Sequence, residues 1–228
     1  SVTTSNGEIT GGWDMYNKNY TLNITNPASS TLSFDEASNG WTSFYSYNPQ
    51  LMTSCLGQFY SWQDNKLWQH YSNTSPNNFY STSYRSSVHL ILNPNPIKMK
   101  TFKTINYEGS SGWEVIDFYS EVTGADEVNG LWVNYSDTAL TVPSYFEGQW
   151  VDPATNITYR QGFDRKQNVY MASLLNNSGA RDGEVIFDGS SSTGIKAFYA
   201  NVIMQTDLTT DPNSQKQLFT VGSNFATN

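Results

Sequence analysis

The chain has 228 residues, 37% hydrophobic and 15% aromatic but only 14% charged, with a formal net charge of −8. That balance excludes a nucleic-acid partner held by phosphate neutralisation, since the densest basic group is only Lys98, Lys100 and Lys103. A single cysteine, Cys55, excludes an intrachain disulfide and reads as a small buried thiol, and no apolar run of about 18 residues is present to span a membrane.

Residues 1–19 are rich in Gly and Asn and weakly patterned. Residues 20–24 alternate apolar and polar side chains, the period of a half-buried strand, and read as the first strand; residues 31–34 read as the second. The strongest block follows, with strands over 41–47, 52–56 and 58–62. Asp64-Asn65 then turns the chain into 66–71, a strong hairpin signal. Trp62 and Trp68 flank that turn and are expected to form one cross-strand pair. Trp41 is expected in the hairpin core, where truncation to Ala costs about 3–5 kcal/mol. Residues 41–71 have the rhythm of a propeller-blade fragment.

Residues 72–87 form a polar loop in which Phe79, Tyr80 and Tyr84 pack locally. Residues 87–92 are almost continuously apolar and predict a strand buried on both faces, ended by Asn93-Pro94-Asn95-Pro96. Residues 99–108 alternate as one strand, Gly109-Ser110-Ser111-Gly112 is the clearest break, and 113–122 is a strand. Short strands are predicted over 130–136, 149–151, 157–159, 184–187 and 217–221, and 169–175 is a strand or one helical turn. Residues 194–208 form the longest pattern and predict a central strand. The expectation is an all-β protein of antiparallel sheets, as a sandwich or propeller-blade-like hairpins, with little helix. Its two β units are 1–112 and 113–228, or one continuous domain.

Little here supports catalysis or cofactor binding. His70 and His89, both in predicted strands, do not make a zinc site, and no Gly-x-Ser-x-Gly elbow is present. Glu108, Glu114, Asp117 and Glu121 are the carboxylates a glycosidase would draw on, but strand alternation places Glu114 and Asp117 on opposite faces. Asp207 to Asn213 offers loop oxygens but lacks the rhythm of a calcium loop, and Asp182-Gly183-Glu184 and Asp188-Gly189 read as turns. Catalytic residues, metal and cofactor are therefore expected to be none. The residues singled out for packing or interaction are the aromatics Trp41, Phe44, Tyr60, Trp62, Trp68 and Tyr71.

Gly40-Trp41-Thr42-Ser43-Phe44-Tyr45-Ser46-Tyr47-Asn48-Pro49, followed by Phe59-Tyr60-Ser61-Trp62 and Asn65-Lys66-Leu67-Trp68-Gln69-His70-Tyr71, resembles a recurring segment of tailed-bacteriophage virion proteins. So do Ser86-Ser87-Val88, the run from Phe102 to Gly109, Gly194 to Ala200, and Lys216 to Val221. The pattern is similar to large structural proteins of crAss-like phages and cyanophages. It covers residues 40–109 and 183–223 and leaves 113–182 without a counterpart. Those relatives are longer, which together with Ser1 implies a cleaved product or a segment. The resemblance implies a virion location, most naturally the tail or head–tail region. It also implies large aromatic faces that pack on copies of the chain and on other virion proteins, edge strands as joints, and no cofactor. The expected function is a non-enzymatic structural component of a tailed-phage virion. The alternatives are a virion module that binds host glycans and, third, a polysaccharide depolymerase.

Overall fold

Short runs of aromatic and β-branched residues, separated by Asn, Asp, Ser and Gly, leave each segment enough apolar surface for one pleated face and too little length for a helix. A computed structural model describes residues 2–4, 7–25, 30–72, 75–120, 125–128, 131–134, 141–145, 150–151, 158–159, 162–174, 194–212 and 214–227. Every helix or strand among them is a strand, every pairing is antiparallel, and no sheet closes. The expected strand over 184–187, the turns at Asp182 and Asp188, and Glu121 lie outside the described residues.

The chain divides into two compact units, Ser1–Tyr84 and Arg85–Asn228. The Gly109–Gly112 break lies within the second. In the first unit, β1 (Val2–Thr4), β2 (Gly7–Asp14), β3 (Asn19–Ile24), β4 (Ser30–Asp35) and β5 (Gly40–Tyr45) form one five-stranded meander. Thus β1 and β2 occupy the weakly patterned stretch, which was not expected to hold strands. A second sheet joins β6 (Leu51–Cys55), β7 (Gln58–Gln63) and β8 (Lys66–Gln69), and β9 (Asn78–Phe79) and β10 (Thr82–Ser83) form a small hairpin. Residues 41–71 are not one blade, because β5 pairs with β4 and β6–β8 form their own sheet. The two sheets approach closely at Gly12, where a Cβ would lie 2.9 Å from the Cβ of Met52.

The second unit contains β11 (Ser87–Leu92), β12 (Lys100–Phe102), β13 (Thr104–Gly109), β14 (Trp113–Tyr119), β15 (Ala125–Val128), β16 (Leu131–Asn134), β17 (Trp150–Val151) and β18 (Thr158–Tyr159). It continues with β19 (Asp164–Lys166), β20 (Val169–Ser173), β21 (Ile195–Ala197), β22 (Ala200–Thr206), β23 (Leu218–Gly222) and β24 (Phe225–Thr227). Three sheets, ordered β11-β22-β14, β21-β12-β24 and β19-β20-β13-β23, supply a contiguous core that includes Phe102, Tyr107, Phe118, Val202 and Met204. Two further pairs are β15-β16 and β17-β18.

Three expectations are corrected here. Residues 87–92 form an edge strand, exposed at every second position, because β11 pairs with β22 alone. The run 99–108 divides at Lys103 between two sheets; the Lys103 N–H donates to Asn224 O and its carbonyl accepts from Leu174 N–H. The run 194–208 likewise divides into β21 and β22, of which β22 is central.

Candidate interaction surface

The five-stranded sheet is inside out. Its register aligns Thr10, Asn23, Thr31 and Tyr45 across β2–β5, and next to them Gly12, Thr21, Ser33 and Ser43. Thr10, Asp14, Asn19, Thr21, Asn23, Thr31 and Ser33 on this face are all buried. Hydrogen bonds serve part of it: Asn23 Nδ2 donates to Thr31 Oγ1 at 2.8 Å, and Thr31 Oγ1 donates to Tyr47 O. Asn19 Oδ1, Asn23 Oδ1 and Ser33 Oγ have no hydrogen-bond partner. Burial of this face is therefore not driven by transfer of apolar surface from water.

The opposite face carries the apolar side chains. One row is Trp13, Tyr20, Phe34 and Trp41; the next is Gly11, Leu22, Leu32 and Phe44; a third begins with Ile9 and Ile24. Trp13 is 38% exposed, Tyr20 45%, Trp41 51% and Phe44 76%. Trp41 and Phe44 are three residues apart, so plain alternation would put them on opposite faces. A register shift in the β4–β5 pairing, which skips Thr42, brings both outward.

Of the six aromatics singled out from the sequence, Trp41 and Phe44 lie on this face. Trp41 is not in a hairpin core. Tyr60, Trp62 and Trp68 are half-buried in the β6–β8 sheet. Tyr71 stacks on Tyr16 with centroids 4.5 Å apart, and its hydroxyl donates to Asp14. Trp62 and Trp68 are not a cross-strand pair. The two-residue turn Asp64-Asn65 pairs Gln63 with Lys66, hence Trp62 with Leu67 and Ser61 with Trp68, which puts the tryptophans on opposite faces. Trp13, Tyr20 and Phe34 were missed; the alternation Ile9, Gly11, Trp13 was the available signal.

Beneath the inner face lies a buried polar network. Ser61 Oγ is 2.7 Å from His70 Nε2 and 2.8 Å from the Tyr80 hydroxyl. Burial lowers the His70 pKa to about 4, although Asp14 pulls the other way. A Ser–His pair is the start of a nucleophilic triad, but Ser61 is 0% exposed, so its hydroxyl is closed to a substrate. The pair joins β7 to the chain beyond β8.

Elsewhere, a bulge at Ile116 overturns the expected separation of Glu114 and Asp117. Glu114 pairs with Gln205 and Asp117 with Ile203, so both share one face of β14. Glu114 accepts from Arg85 at 2.8 Å, and burial raises the Asp117 pKa. In the 207–213 loop, Asp207 accepts hydrogen bonds from Thr209 N–H, Thr210 N–H, Thr210 Oγ1 and Ser144 Oγ. The Lys216 ammonium takes the Ser111 and Thr210 carbonyls, which places a resident cation there. Among the described residues no three His, Cys, Asp or Glu side chains are grouped to hold a metal ion, and no helix is long and apolar enough to cross a membrane. Cys55 is exposed, not buried, because it ends β6 beside a surface turn. Lys100, counted in the basic group, is fully buried and donates to the Asn95 and Lys98 carbonyls.

Fold and surface together define an all-β protein of open antiparallel sheets with an aromatic sheet face turned outward. Residues 74–177 match the family model of the Crassvirus muzzle protein C-terminal domain. Over that stretch the chain is similar to a domain of a virion structural protein of crAss-like phages. No curated protein matches it. The match runs through residues 113–177, a stretch outside the resemblance carried by residues 40–109 and 183–223. The β1–β5 sheet lies outside the matched stretch.

Proposed function

We propose that this chain is a non-enzymatic building part of the tailed-phage virion, in its tail or head–tail region, present in multiple copies and joined to its neighbours through the outer face of β2–β5. The inverted sheet carries this reading. Aromatic side chains present about 150–250 Å² each. At their observed exposures, Trp13, Tyr20, Trp41 and Phe44 together turn about 400 Å² of side chain outward. An apolar patch of about this size is in the range that often serves an interaction. Covering it contributes about 10 kcal/mol at ~25 cal/mol per Å², against an association cost of about 4–15 kcal/mol. One such contact is modest by itself; repeated among fixed neighbours in a particle it becomes durable.

Binding of a host glycan has less support. A sugar platform needs ring faces side by side, whereas Phe34 and Trp41 meet edge to face at 73°. The test is peptide mass spectrometry and electron microscopy of purified particles. The expected result is the chain at a fixed copy number in every particle; its absence from particles refutes the proposal.

A further inference from the structure

We infer that Lys100 is an internal latch: its buried ammonium grips the main chain of the loop between β11 and β12 from beneath and holds that loop in one shape. The latch is independent of the assembly reading above.

The loop has little of its own to hold it. It runs Asn93-Pro94-Asn95-Pro96-Ile97-Lys98-Met99. Asn95, Pro96, Ile97 and Lys98 are all exposed, Ile97 at 89%, so side-chain burial contributes little to fixing them. Pro94 and Pro96 each bring a carbonyl and no N–H, which leaves the loop richer in acceptors than in donors. Asn95 is left-handed, with φ of 53°, a conformation that Asn enters at modest cost. One turn bond, from Lys98 N–H to Asn95 O at 3.0 Å, closes the loop on itself.

Lys100 supplies the missing donors. β12 is the central strand of its sheet, and Lys100 pairs with Ala197 on one side and Thr227 on the other, so the base of the side chain is fixed. Its Nζ donates to Asn95 O at 3.0 Å and to Lys98 O at 2.9 Å, the two ends of the same turn. The side chain is fully buried, and lysine is seldom buried without a charged partner. Among the described residues the only ion pair is Arg85–Glu114, so carbonyl dipoles are what compensate this charge. An apolar side chain of the same volume would avoid the desolvation altogether. The gain therefore lies in the loop that the ammonium fixes. Lys216 grips the Ser111 and Thr210 carbonyls in the same manner, so the device occurs twice in the second unit.

Amide hydrogen exchange of the full chain, read residue by residue by NMR, tests the latch. K100M keeps the volume and removes the donors. In it the Lys98 N–H is expected to exchange about tenfold faster or more than in the wild type. The Thr206 N–H, which bonds to Ser86 O at the far end of the β11–β22 pair, is expected to be unchanged. K103M, which removes a neighbouring exposed cation, is expected to leave both amides as in the wild type. Unchanged exchange at Lys98 in K100M overturns the inference. So does an equal gain at Thr206, which makes Lys100 a support of the whole unit and not of the loop. Should K100M fail to fold, the wild type carries the test. Its Lys100 ammonium is expected to give a slowly exchanging nitrogen signal with couplings across the hydrogen bonds to the Asn95 and Lys98 carbonyl carbons. Absence of those couplings overturns the inference as well.

Discussion

Phe34 on β4 and Trp41 on β5 face each other across the strand pair, with ring centroids 5.4 Å apart and ring planes at 73°, on the outward side of their sheet. Stability should therefore follow exposure, not ring size. Phe59 is fully buried, and Phe59→Ala is expected to cost about 4 kcal/mol. Trp41→Ala, at a half-exposed position, should cost about 2 kcal/mol, and Phe44→Ala under about 1 kcal/mol. Urea denaturation of the three variants checks the order.

Gly12 is the point where the second sheet of the first unit touches the first. A methyl group there would meet Met52 Cβ at 2.9 Å and Met52 O at 3.3 Å, so strand β6 would have to move. Gly12→Ala is expected to lower stability by about 1–3 kcal/mol. Gly40→Ala, whose Cβ would find its nearest neighbour at 3.9 Å, should fall within about 0.5 kcal/mol of wild type. Thermal melts of the pair would refute this if the two variants matched.

The strands were legible in the sequence because alternation is a local property. Which face they bury was not. Alternation defines two faces, and assigning the apolar one inward is a rule about isolated proteins. The β2–β5 sheet breaks it, with Thr21, Asn23, Thr31 and Ser33 inside and Trp13, Phe34 and Trp41 outside. Bulges were the second blind spot: the skip at Thr42 puts Trp41 and Phe44 together, and the one at Ile116 does the same for Glu114 and Asp117. Each reverses a parity argument with a single extra residue. The Trp62–Trp68 error differs in kind, since a two-residue turn at Asp64-Asn65 already implied that Trp62 faces Leu67.

Leu56 and Gly57 form the two-residue turn between β6 and β7, with φ of 51° and 78°. Gly adopts this region freely, but Leu does not, and Leu56 is 96% exposed, so no packing offsets its strain. Asn tolerates the conformation and leads the preferred Asn-Gly turn. Leu56→Asn is expected to raise stability by about 0.5–1 kcal/mol, read as a higher urea midpoint at unchanged slope.

The buried histidine should leave a mark on stability against pH. His70 ordinarily titrates near 6.5, but burial beside Tyr47 and Phe59 lowers its pKa to about 4 in the folded chain. Below pH 6.5 the unfolded chain takes up a proton that the folded chain refuses until about pH 4. The contribution is thus fully present above pH 6.5 and is lost as pH falls toward 4, by about 3 kcal/mol in all. Removing the imidazole removes this slope. His70→Phe is expected to be less stable than wild type at pH 7, because the buried Ser61 hydroxyl loses a hydrogen-bond partner. The gap between the two proteins should narrow steadily from pH 6.5 to pH 4. Asp207, lowered, acts below its ordinary 3.8, and the raised Asp117 is common to both proteins, so it cancels in the comparison. Parallel stability curves for the two proteins across the window would show that His70 is protonated in the folded state and that the network is misread.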